Sequence, residues 1–377
     1  MARRSTRREF LRGKASPESP AGVPGNSLPG SSAAAVPGAS PAALPPDAAR
    51  PESYLLHVSR PAMACRFELF FNAGQYANDT AAALEALDLV QALEDRISYF
   101  RTTSEISRIN ALAAEAAVEV EPALFALLQL CLELHVQTAG AFDAAAAPLW
   151  EAWGFSRRAG RIPSEEEIAE ALKRTGSHLI ELDPVRKTVR FKSEGVRINL
   201  GSIGKGYALD RAGEILAAAG VGDFLFHGGQ SSVLARGSRL EPARGGAFPA
   251  PPGWSVGVRH PLWPRRRVAE IRLRDRALGT SGSTMQFFRH RGRRYAHILD
   301  PKTGRPADGV LSATVVAPSA AVADALSTAF FVMGPEQALA FCRARPELAA
   351  LLVCPGAGRG RYEVHTAGFQ PEELCVF

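Results

Sequence analysis

Apolar positions recur at helical spacing over Asp79–Ile97, with acidic Asp79, Glu85 and Asp88 along the stretch, which predicts an amphipathic helix. Pro122–Ala139 is more strongly apolar and predicts a buried helix. Ser164-Glu165-Glu166-Glu167 has the form of a capping box, with Ser164 as N-cap, and opens a helix to about Arg174. Ile203–Ala219 predicts a helix closed by Gly220. Ala320–Met333 and Pro335–Arg345 predict two more. Short apolar runs predict strands at Cys65–Phe71, Phe224–Phe226, Ser231–Ala235, Trp254–Val258, Val268–Leu273 and Ser312–Ala317. His178–Leu182, Thr188–Phe191 and Val196–Leu200 read as a meander. Met285–Arg289 and Tyr295–Leu299 read as strands with a hairpin turn at Arg291-Gly292-Arg293 between them, and two more short strands close the chain. Strands in runs with helices at both ends argue for an α+β fold, not a doubly wound parallel sheet.

The pattern begins near Tyr54. Residues 1–53 read as a leader and disordered linker rich in Pro, Ala, Ser and Gly, and residues 54–377 as a single domain. Leu240–Gly253 reads as a surface insertion between strands. Thr6-Arg7-Arg8-Glu9-Phe10-Leu11-Arg12 is similar to a twin-arginine export signal, yet no apolar segment of about 7–15 residues follows it. Export and a cytoplasmic location both stay open. No run approaches the eighteen or so apolar residues of a spanning helix.

Charge changes the picture only at the leader. Arg3, Arg4, Arg7, Arg8, Arg12 and Lys14 against Glu9 alone put +5 of the +6 net charge there. The basic balance is therefore no sign of a nucleic-acid partner. The five cysteines are scattered, with no CxxC pair, which argues against a disulfide framework or a cysteine zinc site. Cys131 and Cys354 sit in apolar runs and read as small buried hydrophobes.

Candidate chemistry lies in five places. Asp324 and Thr328 are four residues apart in an Ala/Leu/Phe-rich helical run, so a carboxylate and a hydroxyl stack on one face. Two such oxygens suit Mg²⁺ and hence a phosphate compound; the same pair also makes an ordinary solvated edge. Leu200-Gly201-Ser202-Ile203-Gly204-Lys205-Gly206-Tyr207 joins a predicted strand to a helix, which suits an anion or a tight connection. It lacks the spacing of a Walker A loop. Gly228-Gly229 and Gly279-Thr280-Ser281-Gly282 admit a ligand but read by default as turns. His297, ahead of Asp300-Pro301, is a general base or a structural histidine.

The order of these blocks is more specific than any one of them. Met63-Ala64, Ser104-Glu105-Ile106-Ser107-Arg108-Ile109-Asn110, Gly140-Ala141-Phe142-Asp143, Trp153-Gly154-Phe155, Leu200–Tyr207 with Asp210, Gly228-Gly229, Thr280-Ser281-Gly282, His297–Pro301 and Asp324…Thr328 with Gly334 follow one another from about Met63 to Gly334. That series resembles the ApbE family of FAD:protein FMN transferases. The resemblance implies an ApbE-like fold of mixed and antiparallel sheets with flanking helices. It implies binding of FAD and Mg²⁺, release of AMP, and transfer of FMN to a Thr or Ser of an acceptor flavoprotein of electron-transport type. Asp324, Ser327 and Thr328 then match the metal positions, with Ser202 joining from the glycine-rich loop. Met63, Phe100, Ala141, Phe142, Asp143, Asn199, Lys205 and Ile298 match FAD contacts, and His297 the base. An extracytoplasmic site at the inner-membrane periphery is the family's usual address. The chain departs from the family's pattern at Ala64-Cys65, where Gly-Thr is usual, at Asn199, where Asp is usual, and at Ser202 and Gly204 within the loop. These departures keep open an FAD pyrophosphatase giving FMN and AMP, and a non-catalytic FAD-binding protein.

Overall fold

Eight strands form one antiparallel sheet in which every neighbour in space is also the next sheet strand along the chain. They are β1 (Leu55–Ala62), β2 (Cys65–Asn72), β3 (Phe224–Gly228), β4 (Ser232–Arg236), β5 (Ala277–Gly282), β6 (Ser312–Ala317), β7 (Ala349–Pro355) and β8 (Tyr362–Ala367). The structure is a computed structural model and describes residues 54–157, 159–240, 252–283, 286–358 and 360–377. The predicted leader, residues 241–251 of the predicted insertion, and Met285 lie outside the described residues. Residues 51–377 cluster as one unit by contact.

Three helices cover one face of the sheet: α1 (Asp79–Ile97), α2 (Gly204–Ala218) and α3 (Ala320–Arg343). The main core lies between them and the sheet, built from Phe67, Leu69 and Phe226 below and Val90, Leu209, Leu326 and Phe330 above. A second core fills the opposite face, where Trp254–Arg259, Arg267–Leu273 and Leu374–Val376 form a small sheet over Val233, Val316 and Leu351. All six residues of β6 are buried because both of its faces are covered. That is why Ser312–Ala317 reads as a continuous apolar run with no alternation. A third cluster joins Leu149, Trp153, Phe155, Ile168 and Ala171, from the helical insertions between β2 and β3, to Leu299 beyond β5.

The helices begin and end where their sequences direct. Asp79–Ile97, the Ser164 capping box and the Gly220 stop (φ 80°) all appear as expected. Gly334, at φ 78° and ψ 173°, interrupts α3 and separates the two predicted helices. Cys131 and Cys354 are buried free thiols.

Five expectations need correction. Val196–Leu200 is not a strand. Ile198 N–H donates to Asn110 Oδ1 at 2.7 Å, Asn110 Nδ2 donates to Ile198 O at 2.9 Å, and Asn199 N–H donates to Ala144 O at 2.8 Å. Groups that would enter a ladder are taken by a side chain and a loop, and the third strand of that small sheet is Val118–Glu119. Gly279–Gly282, expected as a turn, is part of β5. A Cβ at Gly279 would lie 2.4 Å from the Ala323 carbonyl, so its glycine lets α3 lie close on the strand. His178–Leu182 opens as a 3₁₀ turn at Ser177–Leu179, and the strand is Ile180–Asp183. Tyr295–Leu299 breaks at His297-Ile298 into Arg293–Ala296 and Leu299–Asp300. Three strands, not two, close the chain.

The turn from β1 to β2 carries strain. Met63 and Ala64 sit at φ 49° and 57°, between the paired residues Ala62 and Cys65. Both lie in the left-handed region that favours glycine in two-residue hairpins. Ala64→Gly is expected to stabilise the fold by about 0.5–1 kcal/mol, the relieved strain exceeding the added freedom of the unfolded chain. Thermal melting checks this; an unchanged or lower Tm would mean that alanine is relaxed there.

Candidate active site

Asp210 on α2 sets the relation of α2 to α3. Its carboxylate accepts from Ala320 N at 2.8 Å, Ala321 N at 2.8 Å and Ser319 Oγ at 2.9 Å, so a side chain of one helix caps the next. Gly206 allows the approach, since a Cβ there would lie 2.0 Å from Ala320 O. The glycine-rich turn and the first turn of α3 are thereby held against each other.

Asp324 sits at that junction, 5% exposed. Its Oδ2 accepts from Gly206 N at 2.8 Å and Ser232 Oγ at 2.9 Å, with Lys205 Nζ at 4.0 Å. Among the described residues no hydrogen bond is given to Oδ1. Burial pushes the Asp324 carboxyl above its ordinary pKa, while Lys205, Ser232 and Gly206 oppose the shift. One turn on, Ser327 Oγ and Thr328 Oγ1 donate to the Asp324 carbonyl at 2.8 and 3.4 Å. Ser281 Oγ on β5 lies 2.8 and 3.0 Å from the two hydroxyls, in bonds whose protons the three side chains share out.

This is a patch of hard oxygens with one carboxylate. Among the described residues no group of three or more His, Cys, Asp or Glu gathers to hold a metal. The donor set does not fit a soft or closed site such as structural zinc. It fits Mg²⁺, which takes one or two carboxylates and fills its remaining positions with water and substrate phosphate.

His297 follows the strand Arg293–Ala296. Its Nδ1 lies 3.0 Å from Gln286 O, and its backbone N–H donates to the same carbonyl at 3.2 Å. A carbonyl only accepts, so Nδ1 carries the proton and Nε2 presents a lone pair. Burial pushes the His297 pKa down, the Gln286 carbonyl opposes, and Lys205 lowers it further. Cys65, with its thiol pushed up by burial, is drawn the other way by the same Lys205. The charge of Lys205, whose Nζ is 4.0 Å from Asp324 Oδ2, thus bears on all three groups.

The other expected residues surround this centre in different ways. Asn199 Oδ1 accepts from Gly201 N at 2.9 Å and shapes the turn that carries half-buried Ser202. Asp143 keeps only 2% of its side chain exposed and spends it on Ser177 Oγ at 2.7 Å, Ala145 N at 2.8 Å and His135 Nδ1 at 3.1 Å. The Phe142 side chain is fully buried and Ala141 is 6% exposed. These three shape the loop whose Ala144 carbonyl accepts from Asn199 N at 2.8 Å. Ile298 is 6% exposed, and its carbonyl accepts from Ala307 N at 2.9 Å. Met63 stands half-buried in the strained turn. Phe100 is 66% exposed, edge-on to Tyr99 and Trp150. Ser281 and Ser232 were not among the expected site residues. The Thr280-Ser281-Gly282 block pointed at the first, and only its reading as a turn concealed its place beside α3.

The ApbE family profile matches residues 63–352. The FAD:protein FMN transferase of Treponema pallidum is 34% identical over 73% of this chain and 77% of its own length. That of Vibrio cholerae is 28% identical over 84% of this chain and 92% of its own. The crystal structure of the ApbE protein of Thermotoga maritima superposes with a TM-score of 0.72 at 32% identity, covering 83% of this chain and 97% of that one. With a profile that spans most of its length and with the same antiparallel α+β architecture, this chain belongs to the ApbE family.

Proposed function

We propose that this chain cleaves the pyrophosphate of FAD and passes FMN to a Thr or Ser hydroxyl of an acceptor protein, with AMP as leaving group. The observation that carries the reading is the cluster of Ser281, Ser327 and Thr328 hydroxyls one turn from the buried Asp324 carboxylate, with Lys205 Nζ 4.0 Å from that carboxylate. Asp324, Ser327 and Thr328 would hold Mg²⁺, which when bound neutralises charge on the pyrophosphate. Lys205 adds a second positive charge beside them, where a phosphate would otherwise meet the Asp324 carboxylate. His297 Nε2 accepts the proton of the acceptor hydroxyl as that oxygen bonds to the FMN phosphorus. The phosphorus–oxygen bond to AMP breaks in the same displacement, so the proton gained by His297 balances the charge lost by the nucleophile. Asn199, Asp143 and Asp210 act one step away, by fixing the turn and the helix that carry Ser202, Lys205 and Gly206. The acceptor class expected is a flavoprotein of electron-transport type.

Incubating the full chain with FAD, Mg²⁺ and an acceptor domain bearing an accessible Thr is expected to raise the acceptor's intact mass by one FMN, in step with AMP release. AMP release with no adduct on any acceptor would replace this reading with FAD hydrolysis.

A further inference from the structure

A ridge of arginines begins next to the base and takes no part in the chemistry above. The segments Phe155–Arg161 and Gln286–Ala296 carry seven arginines between them and no Asp or Glu. They lie together. Phe155 meets the Phe288 ring at 5.6 Å and the His297 ring at 6.5 Å. A Cβ at Gly160 would fall 2.5 Å from Phe288, so the loop presses flat on that ring. Phe288 in turn stacks on Tyr295 at 5.2 Å. The two aromatic contacts make a firm base for an exposed hairpin.

Arg157, Arg289, His290 and Arg291 are exposed. Arg289 and Arg294 lie 5.9 and 5.4 Å from the centre of the Phe287 ring, itself 40% exposed. Among the described residues no carboxylate pairs with Arg157, Arg289, Arg291 or Arg294, whereas Arg161 is held by Glu167 and Arg197 stands 3.8 Å from Glu151. Arg157, Arg161 and Arg197 also line a cleft of about 520 Å³. Lys205 and Asp324, the groups suited to the pyrophosphate, do not line it.

We propose that this ridge, Phe287–Ala296 with the Phe155–Arg161 loop beneath it, docks the acceptor protein through a segment rich in Asp and Glu near the accepting hydroxyl. The proposal rests on the function argued above, since it assigns that reaction's partner. Exposed arginines around a half-exposed aromatic have the composition of a protein-binding surface. Exposed positive charge with no carboxylate partner, as at Arg157, Arg289 and Arg291, steers an acidic partner and sets its register. The chain runs from this hairpin directly into His297, so a segment seated on it would be anchored next to the base.

The test uses the full chain and two peptides that carry the same single Thr, one flanked by four Glu and one by four Gln. Fluorescence anisotropy is expected to show the Glu peptide binding at least about tenfold more tightly at about 50 mM salt, with the gap closing near 500 mM. Arg289→Glu/Arg291→Glu is expected to erase the gap while leaving Tm and FAD affinity unchanged. Equal binding of the two peptides would overturn the proposal. So would a loss of FAD affinity matching the loss of peptide affinity, which would assign the ridge to the nucleotide. Displacement of the Glu peptide by a single-stranded oligonucleotide at lower concentration than by free Glu peptide would overturn it too. Peptide discrimination is read without turnover, so a chain that discriminates but forms no FMN adduct fails the proposed reaction and keeps the docking surface.

Discussion

His297→Ala is expected to slow FMN transfer by about 10²–10⁴-fold, the usual contribution of a positioned general base. FAD affinity and Tm should change little, because the imidazole's partners among the described residues are the Gln286 carbonyl and the edge of Phe155. The pH profile carries the sharper information. The neutral imidazole is the active form, and burial and Lys205 both hold its pKa below the ordinary value. The acid limb of kcat/KM is therefore expected below about 6.5, with the rate falling as pH drops through the folded-state value. His297→Gln serves as the control for position, since an amide can still donate to Gln286 O but cannot take the proton. If the Gln variant kept most of the rate, His297 would be a positioning residue. A slow background AMP release surviving in both variants would be water attack, which needs less help than a protein hydroxyl held in a fixed place.

Local physics made much of this fold legible. Asp79–Ile97 announced itself by spacing, Ser164 by its capping box and Ser312–Ala317 by an apolar run that only a strand buried on both faces permits. Failures came where a distant partner overrides local preference. β5 reads Ala-Leu-Gly-Thr-Ser-Gly, weakened as a strand by its alanine and two glycines, and is held by Ser232–Leu234 on one side and Ser312–Ala317 on the other. Val196–Leu200 has strand composition, but Asn110 takes the hydrogen bonds of Ile198. The site divides the same way. The i, i+4 relation of Asp324 and Thr328 is visible within one helix. Ser281 and Ser232 reach the same helix from positions 46 and 92 residues away along the chain, and no spacing rule anticipates them.

Asp324 should be the most sensitive position in the molecule, and two substitutions separate its roles. Asp324→Ala removes the acceptor of two donors, Gly206 N and Ser232 Oγ, and leaves Lys205 facing an apolar methyl. Each donor left unsatisfied in a buried setting costs about 1–3 kcal/mol, so this variant is expected to melt lower as well as to lose activity. Asp324→Asn keeps an oxygen for both donors and nearly the same volume, and removes only the charge. It is expected to melt close to the parent chain and still lose Mg²⁺-dependent FAD cleavage by at least about 100-fold, since the remaining protein ligands are neutral hydroxyls. Addition of Mg²⁺ should raise the Tm of the parent chain and not that of the Asn variant. In the parent chain that stabilisation should weaken as pH falls. Burial already holds the Asp324 carboxyl above its ordinary pKa, and a proton and a dication compete for the same oxygens. If Asp324→Asn turned over FAD normally with a normal Mg²⁺ dependence, the cation would have to bind elsewhere. The close contact of α2 and α3 at Gly206 would then serve the fold alone.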